Sequence, residues 1–207
     1  MTFSMNGSFP AHSRHPGAPE MTFYFLRHGA TKGNLERRYV GETDEALTPE
    51  SREALGALIL PPVVKVYVSP LRRCVETARI LYPDTPMELV PDFRECGFGA
   101  FEYKNYEELK DLPAYQAWLD ARGFTAFPGG ESRADFCARV VRAFDRVAEM
   151  ADLLGGDAAI VAHGGTLMAI LEARALPKRD FYAWQAATGH GYAAIWRNGA
   201  LEINSSL

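Results

Sequence analysis

The sequence predicts an α/β fold with a mostly parallel central sheet, helices on both of its faces and an antiparallel edge strand. Short apolar runs typical of buried strands alternate with longer segments of helical periodicity, which favours parallel βαβ units. Near the C-terminus, Asn198-Gly199 separates the apolar runs 192–196 and 201–203, a strong signal for a β-hairpin that supplies the antiparallel strand. The 207 residues, 47% of them hydrophobic, suffice for one domain with a full core.

The first predicted strand and the first long helix have clear local signals. Residues 22–26 (TFYFL) form a nearly continuous apolar run, as expected of a strand buried on both faces. Thr48 can cap a helix whose first turn holds Pro49 and Glu50. We expect that helix to end at Pro61-Pro62, because proline cannot continue a helix.

The middle of the chain predicts two strands, two helices and an aromatic insertion. Residues 63–68 (VVKVYV) are rich in β-branched side chains and predict a second buried strand. A helix is expected from Pro70 to about Leu81, followed by a short strand over 87–90. Residues 93–128 hold irregularly spaced aromatics. We expect a helix over 105–121 within this stretch, which should pack over the sheet edge and shape a pocket.

The last third of the chain has the longest periodic segment. Apolar spacing predicts a helix over 131–154, which Gly155-Gly156 should end. Residues 158–162 (AAIVA) predict a third core strand, followed by a helix over 166–175 and a shorter one over 179–184.

The composition excludes several classes of function. The net charge of -4 and the lack of a basic stripe argue against a nucleic-acid partner. No apolar run approaches the roughly 18 residues of a membrane span. Residues 1–20 lack the apolar centre of a secretory signal. We therefore expect a disordered tail over 1–20 and a single domain over 21–207. Three widely spaced cysteines indicate reduced thiols in a cytoplasmic protein, without a zinc site: Cys74, Cys96 and Cys137.

The polar residues that follow the predicted strands define a candidate site. Arg27-His28-Gly29 follows the first strand, residues 69–73 (SPLRR) follow the second, and His163-Gly164-Gly165 follows the third. Ligands of open α/β sheets bind beyond the carboxyl ends of the strands. Two histidines and at least two arginines should therefore meet in one crevice.

Such a group of side chains suits phosphate chemistry. Guanidinium groups bind oxyanions, and the backbone N–H groups of Gly164-Gly165 should approach an anion at a helix start. Histidine is a competent nucleophile when neutral, and flanking arginines oppose its protonation. We expect Gly29 to let a substrate come close to the backbone. Glu95 precedes an aromatic loop and is a candidate proton donor with a raised pKa.

Four segments resemble the histidine phosphatase superfamily, which includes the cofactor-dependent phosphoglycerate mutases. RHGATKGN at 27–34 is similar to its arginine-histidine-glycine motif, and SPLRRCVETA at 69–78 is similar to its second motif, whose arginine falls on Arg73. The segment 94–102 resembles the proton-donor segment, and VAHGG at 161–165 resembles the second histidine motif. The resemblance extends from Met21 almost to the C-terminus.

The resemblance implies a role for each candidate residue. His28 would be the phosphorylated nucleophile, and Glu95 the general acid that later activates water. It implies no metal and no organic cofactor. Five groups would hold the phosphate: Arg27, Arg73, His163, Asn34 and the Gly164 amide. Two further residues are candidates for contact with the substrate: Thr31 and Glu131. Glu131 is also a candidate for the start of the long helix.

The most similar subfamily is that of the α-ribazole-5′-phosphate phosphatases of cobalamin assembly. The Glu95 segment, the aromatic stretch 106–118 and PGGES at 128–132 carry this resemblance. Tyr103 departs from it, since many relatives have glycine there, and Cys74 stands where alanine is common. Whether Tyr103 and His190 line the pocket is left open, and Arg72 is expected to be a surface charge.

The expected function is hydrolysis of a small phosphomonoester, with α-ribazole 5′-phosphate as favoured substrate, by a monomer or homodimer. A phosphoglycerate mutase or a broad-specificity sugar phosphatase is an alternative, although mutases of this family tend to be longer. A non-catalytic phospho-ligand binding module is another, although such a module should have lost His28 or Glu95. The chain lacks a P-loop and a GxSxG elbow, which disfavours a P-loop kinase and an α/β-hydrolase.

Overall fold

A computed structural model describes residues 20–121 and 123–207, and a seven-stranded sheet forms its centre. The strands are β1 (Met21–Arg27), β2 (Lys65–Val68), β3 (Met87–Leu89), β4 (Ala158–Ala162), β5 (Ala175–Leu176), β6 (Gly191–Arg197) and β7 (Ala200–Ser206). The helices are α1 (Lys32–Leu35), α2 (Pro49–Gly56), α3 (Arg72–Leu81), α4 (Tyr106–Leu109), α5 (Pro113–Asp120), α6 (Arg133–Leu154) and α7 (Gly164–Arg174). Three short 3₁₀ helices cover Pro91–Phe93, Gly99–Phe101 and Phe181–Trp184.

The sheet order is β3-β2-β4-β1-β6-β7-β5. Strands β1, β2, β3 and β4 are mutually parallel, and the hairpin of β6 and β7 adds antiparallel pairing beside β1. The predicted fold class is confirmed. The hairpin contributes two strands, and the two-residue β5, which the sequence did not predict, occupies the outermost position by pairing with β7.

Strand alternation explains why helices cover both faces of the sheet. In β1, Phe23 and Phe25 point to the face that holds Phe144 of α6, and both rings lie within 6 Å of the Phe144 ring. Tyr24 and Leu26 belong to a second apolar cluster on the opposite face, together with side chains of α3. Strand β4 is buried along its whole length, as expected for a central parallel strand.

The register brings the carboxyl ends of three strands level with one another. Leu26 of β1 and Val68 of β2 both lie opposite Val161 of β4. The ladder extends one residue past β1 and β2, because His28 N donates to the Ala162 carbonyl and Ser69 N donates to the Val161 carbonyl. The segments that follow β1, β2 and β4 therefore start at the same edge of the sheet.

Several predicted boundaries are wrong for identifiable reasons. Helix α2 has the predicted Thr48 cap, but it ends at Gly56 and not at Pro61-Pro62. The residues after it, Leu58 and Ile59, are exposed, so no buried face extends the helix. The predicted helix over 105–121 is two helices, α4 and α5, because Pro113 at the start of α5 cannot donate to a preceding turn.

The predicted tail over 1–20 lies outside the described residues, except for the exposed Glu20. Within the described ranges, no helix has both the length and the apolar character that crossing a bilayer requires.

Candidate active site

The two histidines that follow β1 and β4 meet at the carboxyl edge of the sheet. The ring centroids of His28 and His163 are 5.1 Å apart, with the rings inclined at 67°. Both imidazoles are buried, at 3% and 0% exposure. The topological argument from strand ends therefore predicted their convergence correctly.

The hydrogen bond of His28 fixes which of its nitrogens can react. Nδ1 lies 2.7 Å from the carbonyl oxygen of Gly29. A carbonyl only accepts, so Nδ1 carries the proton and Nε2 keeps its lone pair. Burial, followed by the positive charges of Arg73 and Arg27, lowers the pKa of His28 well below its usual 6.5, against the raising effect of the Gly29 bond. His28 is thus a neutral imidazole with a free Nε2.

His163 is held by two residues that the sequence did not single out. Its Nε2 lies 2.7 Å from Oγ of Ser69, and Sγ of Cys74 lies 3.5 Å from the same nitrogen. Burial is the main reason that its pKa is lowered well below 6.5, and Arg73 and His28 add to the effect. The strand ends predicted that residues 69–73 and His163 lie at the same edge of the sheet, but no sequence signal predicts which of their side chains bond to each other.

The two arginines whose charges act on both rings each have an unused donor. Arg73 is fully buried and donates to backbone carbonyls through Nη1 and Nη2, and Arg27 donates through Nη1 to the carbonyl of Ala186. The Nε atoms of both arginines are buried without a partner among the described residues. A buried N–H without an acceptor is costly and rare in native proteins. Two of them beside neutral imidazoles fit an anion that carries several oxygens.

Glu95 faces the same crevice, and only two backbone N–H groups among the described residues donate to its carboxylate. One carboxylate oxygen accepts from Cys96 N at 2.9 Å, and the other accepts from Gly165 N at 3.0 Å. Burial raises the pKa of Glu95, although these two N–H groups and the charges of Arg27 and Arg73 act in the opposite direction. A raised pKa is what a carboxyl proton donor requires.

Gly165 and Gly29 have contacts other than those expected. The Gly165 N–H donates to the Glu95 carboxylate, so it is not available to a substrate anion. A Cβ at Gly165 would lie 2.3 Å from a Glu95 carboxylate oxygen, so this residue allows Glu95 to approach α7. At Gly29, a Cβ would lie 2.4 Å from Oγ of Ser51, which indicates close packing against α2 and not the approach of a substrate. That expectation for Gly29 is wrong.

A cavity of about 380 Å³ opens beside these groups. Six residues predicted for the site line it: Arg27, His28, Asn34, Glu95, Gly164 and Gly165. The Asn34 side-chain oxygen accepts two hydrogen bonds from Thr31, so the amide nitrogen is the group left to face a ligand. Arg73 and His163 do not belong to the described lining and are fully buried.

Four other residues considered from the sequence do not belong to the described cavity lining. Thr31 is buried as the cap of α1, and the Glu131 carboxylate binds Arg139 and the Gly97 N–H. Tyr103 donates to Glu45, and its positive φ of 57° explains why glycine suits this position. His190 is an exposed loop residue that contacts the Leu207 carbonyl.

The far wall of the cavity is aromatic and was only partly predicted. Phe98, Trp118 and Phe127 line it, and the Trp118 and Phe127 rings stack with centroids 4.9 Å apart. Other aromatics of the same segment, such as Phe101 and Tyr115, are buried in the core. Arg133, Tyr182 and Gln185 also line the cavity, and the sequence offered no signal for them. Arg72 is an exposed surface charge, as predicted.

Within the described ranges, no group of three or more His, Cys, Asp or Glu side chains is arranged to hold a metal ion. The three cysteines are free thiols; Cys74 and Cys96 are buried and Cys137 is half-buried.

The lowered pKa of His28 predicts that its imidazole stays neutral below pH 6.5 in the free protein. An unfolded chain protonates its histidines there, so the folded protein binds fewer protons and its stability should fall as the pH drops below about 6.5. Each buried imidazole contributes at most about 1.4 kcal/mol per pH unit to this fall. Nitrogen-15 NMR of the ring, assigned with His28→Ala, measures the protonation. A midpoint near 6.5 would contradict the prediction.

Comparison with known proteins agrees with this geometry. A family model described as histidine phosphatase superfamily (branch 1) matches residues 23–205. The adenosylcobalamin/alpha-ribazole phosphatase of Escherichia coli is 28% identical over 195 residues, which cover 90% of this chain and 92% of that protein.

Two solved structures resemble the whole fold. The alpha-ribazole phosphatase of Shigella flexneri is 25% identical with a TM-score of 0.79, over 89% of this chain and 95% of that one. The phosphoglycerate mutase of Thermus thermophilus is 32% identical with a TM-score of 0.67, over 90% of this chain and 98% of that one. The chain belongs to the histidine phosphatase superfamily, branch 1, and is a phosphatase.

Proposed function

We propose that the protein hydrolyses a small phosphomonoester through a phosphohistidine at His28, with α-ribazole 5′-phosphate as its favoured substrate. One observation carries the reaction: the imidazoles of His28 and His163 are 5.1 Å apart, and the charges of Arg27 and Arg73, whose buried Nε atoms have no partner among the described residues, act on both rings. Such a cup supplies charge-assisted donors for phosphoryl oxygens and an uncharged nitrogen to attack phosphorus.

In the first step, Nε2 of His28 attacks phosphorus and the bond to the leaving oxygen breaks. Glu95 gives its proton to that oxygen, so an alcohol departs and Glu95 becomes a carboxylate. The Nδ1–H of His28 stays hydrogen-bonded to the Gly29 carbonyl, and this bond stabilises the positive charge that the ring gains. Arg27, Arg73, His163 and Asn34 hold the phosphoryl oxygens. The charges of the two arginines and the hydrogen bonds of the uncharged His163 and Asn34 stabilise the transition state.

In the second step, the Glu95 carboxylate takes a proton from water as the water oxygen attacks phosphorus. The bond between phosphorus and Nε2 breaks, its electron pair returns to the imidazole, and inorganic phosphate leaves. His28 is again neutral and Glu95 again protonated, so the cycle closes without a further reactant.

The preference for α-ribazole 5′-phosphate rests on the names of the Escherichia coli and Shigella flexneri relatives and on the aromatic wall. Phe98, Trp118 and Phe127 supply apolar aromatic surface against which a heteroaromatic group can pack. A mutase, named for the Thermus thermophilus structure, would place 3-phosphoglycerate here, which has no aromatic ring to use this wall.

A panel of phosphomonoesters, assayed with EDTA, tests the substrate. It should contain α-ribazole 5′-phosphate, several sugar phosphates, glycerol phosphate, and 3-phosphoglycerate with and without bisphosphoglycerate. We expect α-ribazole 5′-phosphate to have the highest kcat/KM. Trp118→Leu should lower that value about 10-fold, because part of the apolar contact with the heteroaromatic group is lost, and leave glycerol phosphate unchanged.

Tyr106→Leu is the matched control, because Tyr106 lies in the same aromatic segment but outside the described cavity lining. Faster conversion of 3-phosphoglycerate, or an equal effect of Trp118→Leu on all substrates, would contradict the proposed substrate. Activity lost to EDTA and restored by magnesium would contradict the proposed mechanism. The cytoplasmic location and the state of monomer or homodimer stay predictions.

A further inference from the structure

Arg139 of α6 contacts the segment that carries Glu95, and all the N–H groups of its guanidinium form hydrogen bonds at this place. Two donors bind the Glu131 carboxylate: Nε to Oε1 and Nη2 to Oε2, each at 2.7 Å. The others bind backbone carbonyls: Nη1 to Asp92 at 2.8 Å and to Arg94 at 3.0 Å, and Nη2 to Glu95 at 2.9 Å. These five bonds match the five N–H donors of a guanidinium.

Glu131 forms the second half of the same clamp. Its Oε2 accepts from Gly97 N at 2.9 Å, and its own backbone N donates to the Gly97 carbonyl at 2.9 Å. The chain is thus fixed on both sides of Glu95, at residues 92–95 by Arg139 and at Gly97 by Glu131. The side-chain polar groups of Arg139 and Glu131 bind each other and the backbone of residues 92–97, so neither residue has a group directed to a substrate.

The clamp is built into the packed part of the protein. The Arg139 side chain is 14% exposed, and its guanidinium lies 5.0 Å from the ring centre of Phe136, one helical turn away. Phe136 is buried and lines the cavity. Hydrogen bonds therefore link α6 to the backbone of residues 92–95. From this backbone the Glu95 side chain extends to the Gly165 N–H.

We propose that Arg139 and Glu131 are positioning residues that hold Glu95 at the leaving-group oxygen, and that they control leaving-group protonation and not phosphate binding. This inference rests on the proposed function, because Arg139 and Glu131 can affect leaving-group protonation only if Glu95 donates the proton. A general acid must lie within hydrogen-bond distance of its target, and a displacement of about 1 Å can cost roughly 10²-fold in rate.

The test compares two substrates with leaving groups of different basicity. The p-nitrophenolate group departs without a proton, whereas an alkoxide needs one. For Arg139→Met we expect kcat/KM to fall about 10²-fold with an alkyl phosphomonoester and less than about 3-fold with p-nitrophenyl phosphate. Arg146→Met is the matched control: it lies on the same helix and bonds the Asp92 side chain, not the loop backbone. It should change neither value.

Glu131→Gln keeps the shape of the clamp and serves if Arg139→Met does not fold. It should also lower kcat/KM for the alkyl phosphomonoester more than for p-nitrophenyl phosphate, but by a smaller factor than Arg139→Met. The double variant should be no worse than Arg139→Met alone, because the two residues act as one unit. Equal losses on both substrates, or no loss on either, would overturn the inference while the wild-type enzyme stays active. A wild-type protein that turned over neither substrate would overturn the proposed function and, with it, this inference.

Discussion

Replacing His28 by alanine is expected to lower kcat with p-nitrophenyl phosphate by at least about 10³-fold, since the covalent route is lost. The expectation follows from the bond between Nδ1 and the Gly29 carbonyl, which leaves Nε2 unprotonated, and from the burial and nearby arginines that keep the ring neutral. Alanine offers no atom that could take the place of Nε2. The measurement is steady-state turnover, accompanied by circular dichroism and a thermal melt to show that the fold is kept.

His190→Ala is the control for this substitution. It removes an imidazole that is exposed and lies outside the described cavity lining, so turnover should stay within about 2-fold of wild type. If folded His28→Ala kept turnover within about 10-fold of wild type, His28 could not be the nucleophile.

Replacing Glu95 by glutamine is expected to lower kcat/KM for alkyl phosphomonoesters by about 10²–10⁴-fold, the usual contribution of a general acid. Glutamine keeps the size of the side chain but cannot release a proton. Its one oxygen can replace only part of the bonding to Cys96 N and Gly165 N. With p-nitrophenyl phosphate the first step needs no proton, so formation of the phosphoenzyme should be nearly normal and its hydrolysis slow.

Pre-steady-state kinetics separate these two steps. Glu95→Gln should show a burst of p-nitrophenol followed by slow turnover. Glu107→Gln, which changes an exposed carboxylate paired with Lys110, is the control and should resemble wild type. Equal losses for alkyl and p-nitrophenyl esters in the burst phase would show that Glu95 does not protonate the leaving group.

The parts of the fold that the sequence predicted are those determined locally or by complete burial. Strand β4 matches the predicted range 158–162 because a strand covered on both faces consists of apolar residues throughout. The Thr48 cap and the Asn198-Gly199 turn depend on neighbouring residues alone. The end of α2 and the pairing of β5 with β7 depend on distant segments, which no short window reveals.

The candidate site divides in the same way. A topological rule predicted the residues at the ends of β1 and β4, since parallel strands place their carboxyl ends at one edge. The contacts behind them depend on register between remote segments, and so the Ser69 bond to His163 and the Arg139 clamp were missed. Glu131 was noticed through its motif, but its position beside Arg139 assigns it to the support of Glu95.

The most direct test of the phosphohistidine is to locate the phosphoryl group on the protein. Glu95→Gln would be mixed with p-nitrophenyl phosphate, quenched in alkali to preserve a phosphorus–nitrogen bond, digested and analysed by mass spectrometry. We expect one phosphorylated peptide, containing His28, which is absent from the double variant with His28→Ala. Phosphate on His163 or on any other residue, or a burst of product without a phosphorylated peptide, would contradict it.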